Sequence, residues 1–385
     1  MLATRIDRLT SSLVRDILAA AASPDVISFA GGLPATEALY QPELAALDPA
    51  MVAQALQYGP SEGEPALREQ VAGQLRAQGL PCSAEQVLIL NGSQQGIDLL
   101  AKLLIEPGRS VLLESPTYLA ALQAFRLFGA ELHGLEQGMG IDADSAMDKA
   151  LGHNPCMVYL NPTFQNPTGH CLSAAERQRW AAKLDRSGTV VFEDDPYRDL
   201  AYDAPAPAPL VAHLKQTPWV YQGSFSKILA PGLRLGYLVA HRELFPHLLR
   251  LKQAADLHSN RLSQLLVLEA LQQGRLQRHL ARILPLYRAR RDAMAASLSR
   301  HLAGLASWML PQGGLFFWLE LQRPCDTLAL MRDLLECDRV AVMPGSAFFA
   351  APAGSSYLRL NFSHADAGRI DTGLALLAKR LHQAG

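Results

Sequence analysis

A single lysine stands in the stretch SFSKILAPGLRLGY, Ser224 to Tyr237, among small, apolar and turn-forming residues. Burying an amine is costly, and a lysine on an amphipathic helix normally carries it outward on its long stem. That escape is closed here, because Pro231, Gly232 and Gly236 rule out a long regular helix around Lys227. A desolvated lysine gives up its charge readily and can form a Schiff base with a carbonyl. Ser224 and Ser226 before it and Arg234 after it are the groups that an anion would need.

Three other stretches put polar groups at the ends of apolar runs. NGSQQG, Asn91 to Gly96, lies between a strand-like and a helix-like segment. N–H groups at such a helix start, with Ser93 beside them, bind phosphate, although an N-cap with a glycine turn accounts for the stretch when it is taken alone. It lacks the G-x-x-x-x-G-K-[ST] pattern of a triphosphate loop. YLNPTFQNPTG, Tyr159 to Gly169, carries two Asn-Pro pairs at the C-terminal end of a strand, where ligands sit in open α/β sheets. Asn161 fits a turn opener; Asn166 is the better inward-facing donor. In FEDDPYRDL, Phe192 to Leu200, no histidine accompanies the acids to complete a metal site, so no metal is expected. A solvated turn accounts for one or two of the acids. An acid leaving an apolar strand, with a tyrosine three residues on, suits a buried partner for a basic ring nitrogen. A lone lysine, such an acid and a phosphate cup are together what pyridoxal phosphate requires.

The elements that must position these groups follow from periodicity. Short β-rich runs (VLIL, SVLLE, CMVYLNP, TVVFED, WVYQGSFSK, GYLVA) alternate with amphipathic helical patterns, which predicts an α/β domain with a mostly parallel sheet. From about residue 243 the pattern turns helical; GGLFFWLEL, RVAVMP and SSYLRLNF then read as strands of a smaller α+β domain, closed by a helix from His364. DAPAPAPL, Asp203 to Leu210, reads as a stiff surface loop. With 385 residues, 49% of them hydrophobic, the chain can bury a large core and exceeds one typical domain. Net charge is -1 and only 18% of residues are charged, which leaves no electrostatic footprint for nucleic acid or an anionic membrane. The five cysteines form no C-x-x-C pair, and no apolar run reaches bilayer-spanning length. Asp7, Asp16 and Asp25 argue against an N-terminal targeting peptide, so a cytoplasmic protein is expected.

The S-F-S-K-x-L-A-P-G-x-R-x-G pattern, following NPTFQNPTG and EDDPY in that order, resembles the fold-type I pyridoxal-phosphate aminotransferases of class I/II over essentially the whole length. SFAGGLP and QYGPSEGEPALRE resemble the group of 2-aminoadipate and kynurenine aminotransferases and the aminotransferase domains of MocR-type regulators. The resemblance implies a large domain (46–270) around a mostly parallel seven-stranded sheet, a small C-terminal domain (271–385), and an N-terminal segment (1–45) shared with the small domain. It implies that Lys227 holds pyridoxal 5'-phosphate covalently and then moves the substrate proton, and that Asp194 keeps the pyridine nitrogen protonated. Tyr197 and Asn166 are implied at the ring oxygen, Tyr118 on the ring face, and Ser93, Gln94, Ser224, Ser226 and Arg234 at the phosphate. Arg359 is implied at the substrate α-carboxylate, and Tyr58 at the phosphate of a neighbouring subunit, hence a homodimer. Gly32 would let the backbone approach the substrate, and Arg15, on an amphipathic N-terminal helix, would face an acidic substrate side chain. Leu33, Tyr40 and Phe348 are further candidates for the pocket lining.

The expected activity is amino transfer from an α-amino acid (2-aminoadipate, glutamate, aromatic or apolar) to a 2-oxo acid such as 2-oxoglutarate. A Cα-decarboxylase or β-lyase would use the same cofactor cup. A MocR-type regulator is disfavoured, since the aminotransferase pattern begins almost at Met1 and the net charge is near zero.

Overall fold

The computed structural model describes residues 2–9, 23–136 and 143–383. The helix expected around Arg15 lies outside the described residues. After the short β1 (Ile27–Ser28) come β2 (Val87–Leu90), β3 (Ser110–Ser115), β4 (Glu131–Glu136), β5 (Met157–Leu160), β6 (Val190–Asp194), β7 (Trp219–Ser224) and β8 (Gly236–Ala240). From β2 onward these form a seven-stranded sheet in the order β2-β8-β7-β6-β5-β3-β4. Only the β8 pairings, to β2 and β7, are antiparallel within it.

The apolar runs form strands because both faces of the sheet are covered. Val87 and Ile89 join one core with Leu112, Val158, Val191 and Tyr221; Leu88 and Leu90 join the other with Leu113, Tyr159, Phe192 and Val220. The period-2 alternation of side chains therefore splits each run between two helical layers. Strand β4 is not announced by the sequence pattern. It lies at the sheet edge, where Glu131 and Gly134 are exposed and dilute the apolar signal. Helix starts follow local chemistry: Ser173 and Glu176 form a capping box for Ala174–Ser187, which ends on Gly188 at φ +67°.

A second, antiparallel sheet is built from β9 (Ala306–Trp308), β10 (Phe316–Leu321), β12 (Met343–Pro344) and β13 (Tyr357–Asn361), in the order β12-β13-β10-β9. The run RVAVMP, expected as one strand, divides. Its first half, β11 (Val340–Ala341), pairs in parallel with β1, whereas β12 pairs with β13. The chain leaving β1 stays against this sheet, because Asn361 N donates to Phe29 O at 2.8 Å.

One expectation is overturned. None of Glu193, Asp194 and Asp195 is part of a solvated turn; all are buried. Alternation along β6 sends Glu193 to Arg177 (3.5 Å) on one face, and Asp195, beyond the strand end, to Arg198 (2.7 Å). Asp194 goes to the opposite face. Arg177 also donates to Pro162 O and Thr163 Oγ1, both at 2.9 Å, and to Ala208 O at 3.4 Å. It thereby ties the proline-rich loop to the Asn-Pro segment. Burial pushes the Glu193 carboxyl up, and the guanidinium opposes this. Truncating Arg177 would strand a buried carboxylate, so Arg177→Ala should cost about 3–5 kcal/mol, read as a lowered urea midpoint. A midpoint unchanged from wild type would show the pair to be inert.

Candidate active site

The lysine of the SFSK loop follows β7 directly. Lys227 is half-buried, and its Nζ donates to Gly32 O at 2.8 Å. Loss of water, then the positive charges of Arg359 and Arg234, lower its pKa to about 8. A Cβ on Gly32 would stand 3.1 Å from Phe316 Cζ and 4.0 Å from Lys227 Nζ, so the bare backbone at 32 allows this close approach.

Asp194 projects from the end of β6 and is 3% exposed. Its Oδ2 accepts from Tyr159 OH at 2.7 Å and its Oδ1 from Gln222 Nε2 at 2.9 Å. Burial pushes the carboxyl up to about 6, against the pull of those two donors. Asn161, read from sequence as a turn residue, organises the corner: its Nδ2 donates to Asp194 O and its Oδ1 accepts from Asn166 N at 2.8 Å. Asn166 Nδ2 in turn reaches Tyr197 OH at 3.5 Å. The Tyr197 phenol is buried and its pKa is raised, first by burial. Tyr118, at the start of the helix Leu119–Leu127, has its phenol raised to about 12 by burial and then by the Asp194 charge, while Arg359 and Arg234 oppose this.

Arg359 lies in the middle of β13, paired with Trp318 and Met343. It is buried, with its guanidinium 4.3 Å from the Phe316 ring centre and 4.9 Å from that of Phe348. Nη1 donates to Asn166 Oδ1 at 2.8 Å and Nη2 to Ala30 O, whereas Nε has no partner among the described residues. Burial lowers its pKa to about 10. A buried guanidinium with a free donor and no carboxylate partner among the described residues is ready for an incoming anion.

The serine and arginine groups meet at a helix start. Gly92 (φ +76°) precedes the helix Ser93–Leu104, and a Cβ there would stand 2.5 Å from Arg234 Nη2. A Cβ on Gly236 would stand 3.0 Å from Ser93 N. Ser224 Oγ accepts from Ser226 N at 3.2 Å. Arg234 is exposed and Gln94 beside Ser93 is exposed too, so this cup is open on one side. Such N–H groups with a guanidinium across from them suit a phosphate.

Three further nominated residues face solvent or pack on a histidine. Tyr58 is 76% exposed and packs edge-on to His258, and Leu33 is 49% exposed. Tyr40 packs edge-on to His279, while its N–H donates to Leu229 O near the lysine loop. Sequence reasoning passed over Tyr159, Gln222 and Phe316. The first two had a signal, each a hydrogen-bonding side chain within a fully buried strand.

Residues 25–376 match the family model for aminotransferase class I and II. The chain belongs to that family. It is 39% identical to a 2-aminoadipate transaminase of Thermus thermophilus, over 97% of this chain and 94% of that protein. It is 34% identical to an aromatic-amino-acid aminotransferase of Thermococcus litoralis, over 97% and 92%. Among solved structures, the α-aminoadipate aminotransferase of Thermus thermophilus, complexed with N-(5'-phosphopyridoxyl)-L-leucine, is similar with a TM-score of 0.90 and 36% identity, over 100% of this chain and 97% of that one. This class I/II aminotransferase is a fold-type I enzyme that works with pyridoxal phosphate. The residues present fit that group: an amine of lowered pKa, a buried acid, and a glycine-lined cup at a helix start beside a guanidinium. Among the described residues no helix is long and apolar enough to cross a membrane.

An amine with a pKa near 8 is half deprotonated there, whereas an exposed lysine needs roughly pH 10.4. In cofactor-stripped enzyme, capture of Lys227 by an aldehyde reagent, trapped with borohydride and mapped by peptide mass, should rise with a midpoint near pH 8. A midpoint shared with the surface lysines would disprove the lowered pKa.

Proposed function

We propose that this aminotransferase takes amino groups from acidic donors such as 2-aminoadipate and glutamate, and from aromatic or apolar amino acids, and passes them to a 2-oxo acid such as 2-oxoglutarate. The observation that carries the reading is the buried Arg359, joined to Asn166 and free at Nε, in the same pocket as Lys227. An α-carboxylate gripped there brings the substrate α-carbon toward the amine. The relatives named for 2-aminoadipate and for aromatic amino acids support those two donor classes.

Bound in the pocket, pyridoxal phosphate would supply an electron sink for the amino acid α-carbon. Lys227 Nζ would anchor the cofactor and would move the proton at the substrate α-carbon. Asp194 holds a proton on the ring nitrogen by its charge, and Tyr197 with Asn166 donates to the ring oxygen. Tyr118 covers the ring face. Ser93, Gln94, Ser224, Ser226 and Arg234 cradle the phosphate. Gly32 would let the backbone approach the substrate closely beside Lys227. The exposure of Tyr58 supports its reaching a second subunit in a homodimer with shared sites. The two sheets support a large cofactor-binding domain over 46–270, a small domain over 271–385, and a segment 1–45 lying partly with the small domain. The same reading has the enzyme working in the cytoplasm. Decarboxylation or β-elimination is not favoured, because the named relatives are transaminases.

Asp194 and Asp195 should separate cleanly. Asp194→Asn should lower kcat by orders of magnitude in a folded protein, because an amide cannot hold a proton on the ring nitrogen by charge. Asp195→Asn breaks the buried pair with Arg198 and should instead appear as a lowered melting temperature with much of kcat retained. Equal losses of kcat in both would mean that the wrong acid is assigned.

A panel of donors tests the substrate reading. Arg359→Ala should depress kcat/KM for every amino acid. Arg15→Ala should selectively impair 2-aminoadipate and glutamate, by about 2 kcal/mol or roughly thirtyfold in kcat/KM, and spare leucine and aromatic donors. An equal change for acidic and apolar donors would remove Arg15 from the substrate site.

A further inference from the structure

Three adjacent strands place Tyr159 (β5), Asp194 (β6) and Gln222 (β7) on one face of the main sheet. Asp194 and Gln222 are direct register partners, and Tyr159 stands opposite Phe192, two residues before Asp194. Each carboxylate oxygen has its own donor, Tyr159 OH on Oδ2 and Gln222 Nε2 on Oδ1. All three residues are buried, on a face otherwise built from Leu88, Phe192, Val220 and their neighbours. An apolar side chain at 222 would suit that core better, because Gln222 Oε1 has no partner among the described residues. Room for it exists only because residue 96 is glycine: a Cβ there would stand 1.8 Å from Oε1. A buried amide kept at that cost, with a helix residue cut back to admit it, calls for a reason beyond packing.

We propose that Tyr159 and Gln222 are positioning residues, a two-donor clamp that keeps Asp194 ionised and aimed at the cofactor ring nitrogen, with Gly96 the space that Gln222 requires. This rests on Asp194 being the ring-nitrogen partner. Hydrogen bonds donated to a carboxylate favour the anion, whereas burial favours the neutral acid. The ionisable groups around Asp194 give the anion little help. Asp195 follows it and is engaged by Arg198, Glu193 precedes it and is engaged by Arg177, and Glu114 of β3 accepts from Asn161 N. The phenols of Tyr118 and Tyr197 face it as well. Two neutral donors stabilise the anion without introducing a cation that would compete with the ring nitrogen for it.

The test follows cofactor retention of the holoenzyme spectrally against pH in wild type, Tyr159→Phe, Gln222→Leu and Asp194→Asn. Losing one donor should let Asp194 take up a proton at higher pH. The acid midpoint of cofactor loss should therefore rise by about one pH unit in Tyr159→Phe and in Gln222→Leu. Gly96→Ala should reproduce that rise when Gln222 is present and add nothing in a Gln222→Ala background. Unmoved midpoints in Tyr159→Phe and Gln222→Leu, with retention lost in Asp194→Asn, would overturn the clamp and leave the role of Asp194 standing. Wild-type retention in Asp194→Asn would instead bring down the ring-nitrogen reading. Should Gln222→Leu fail to fold, the isosteric Tyr159→Phe decides alone.

Discussion

Charged groups buried in a shared, water-poor pocket are the constraint on which the rest of this structure depends. Lys227, Arg359 and Asp194 each resist burial in their charged form, and each is shifted in the direction that burial dictates. Their surroundings offset that cost with polar groups that carry no charge: the carbonyls of Gly32 and Ala30, the Asn166 amide, the Tyr159 phenol and the Gln222 amide. Neutral partners hold the three groups in place without neutralising them. The charges stay available to a phosphate-bearing ring and a carboxylate.

The sheet makes such an arrangement possible. Successive residues of β6 point to opposite faces, so a run of three acids becomes three separate devices. Glu193 and Asp195 are engaged by Arg177 and Arg198 and tie down the loops that flank the pocket. Asp194, between them, faces the chemistry. The Asn-Pro segment works in the same division of labour: Asn161 fixes the corner that lets Asn166 join Tyr197 to Arg359.

Residues 30–32 connect the two sheets at the pocket. Ala30 O accepts from Arg359 of the small sheet, and Gly32 O accepts from Lys227, just beyond β7. The adjoining β1 is paired to β11. A short stretch of backbone thus touches both the anchoring amine and the carboxylate-binding guanidinium. A glycine at 32 is what allows that approach beside the Phe316 ring.

By itself the sequence determined the alternation of buried strands and amphipathic helices, and it pointed to Lys227, Asp194 and Asn166, whereas Arg359 came only through the family resemblance. Those signals are local: strand runs apolar on both faces, a lysine denied a helix, an acid at a strand end. The edge strand β4 and the division of RVAVMP between two partners were illegible, because pairing partners and edge position are set by residues far away in the chain. For the same reason the sequence could not tell a solvated acid from a paired one. Glu193 and Asp195 look alike until Arg177 and Arg198 come up against them. Tyr159, Gln222 and Gly96 gain meaning only when three strands and a helix start converge on one carboxylate, since hydrogen bonding and steric room are properties of distance in space rather than of separation along the chain.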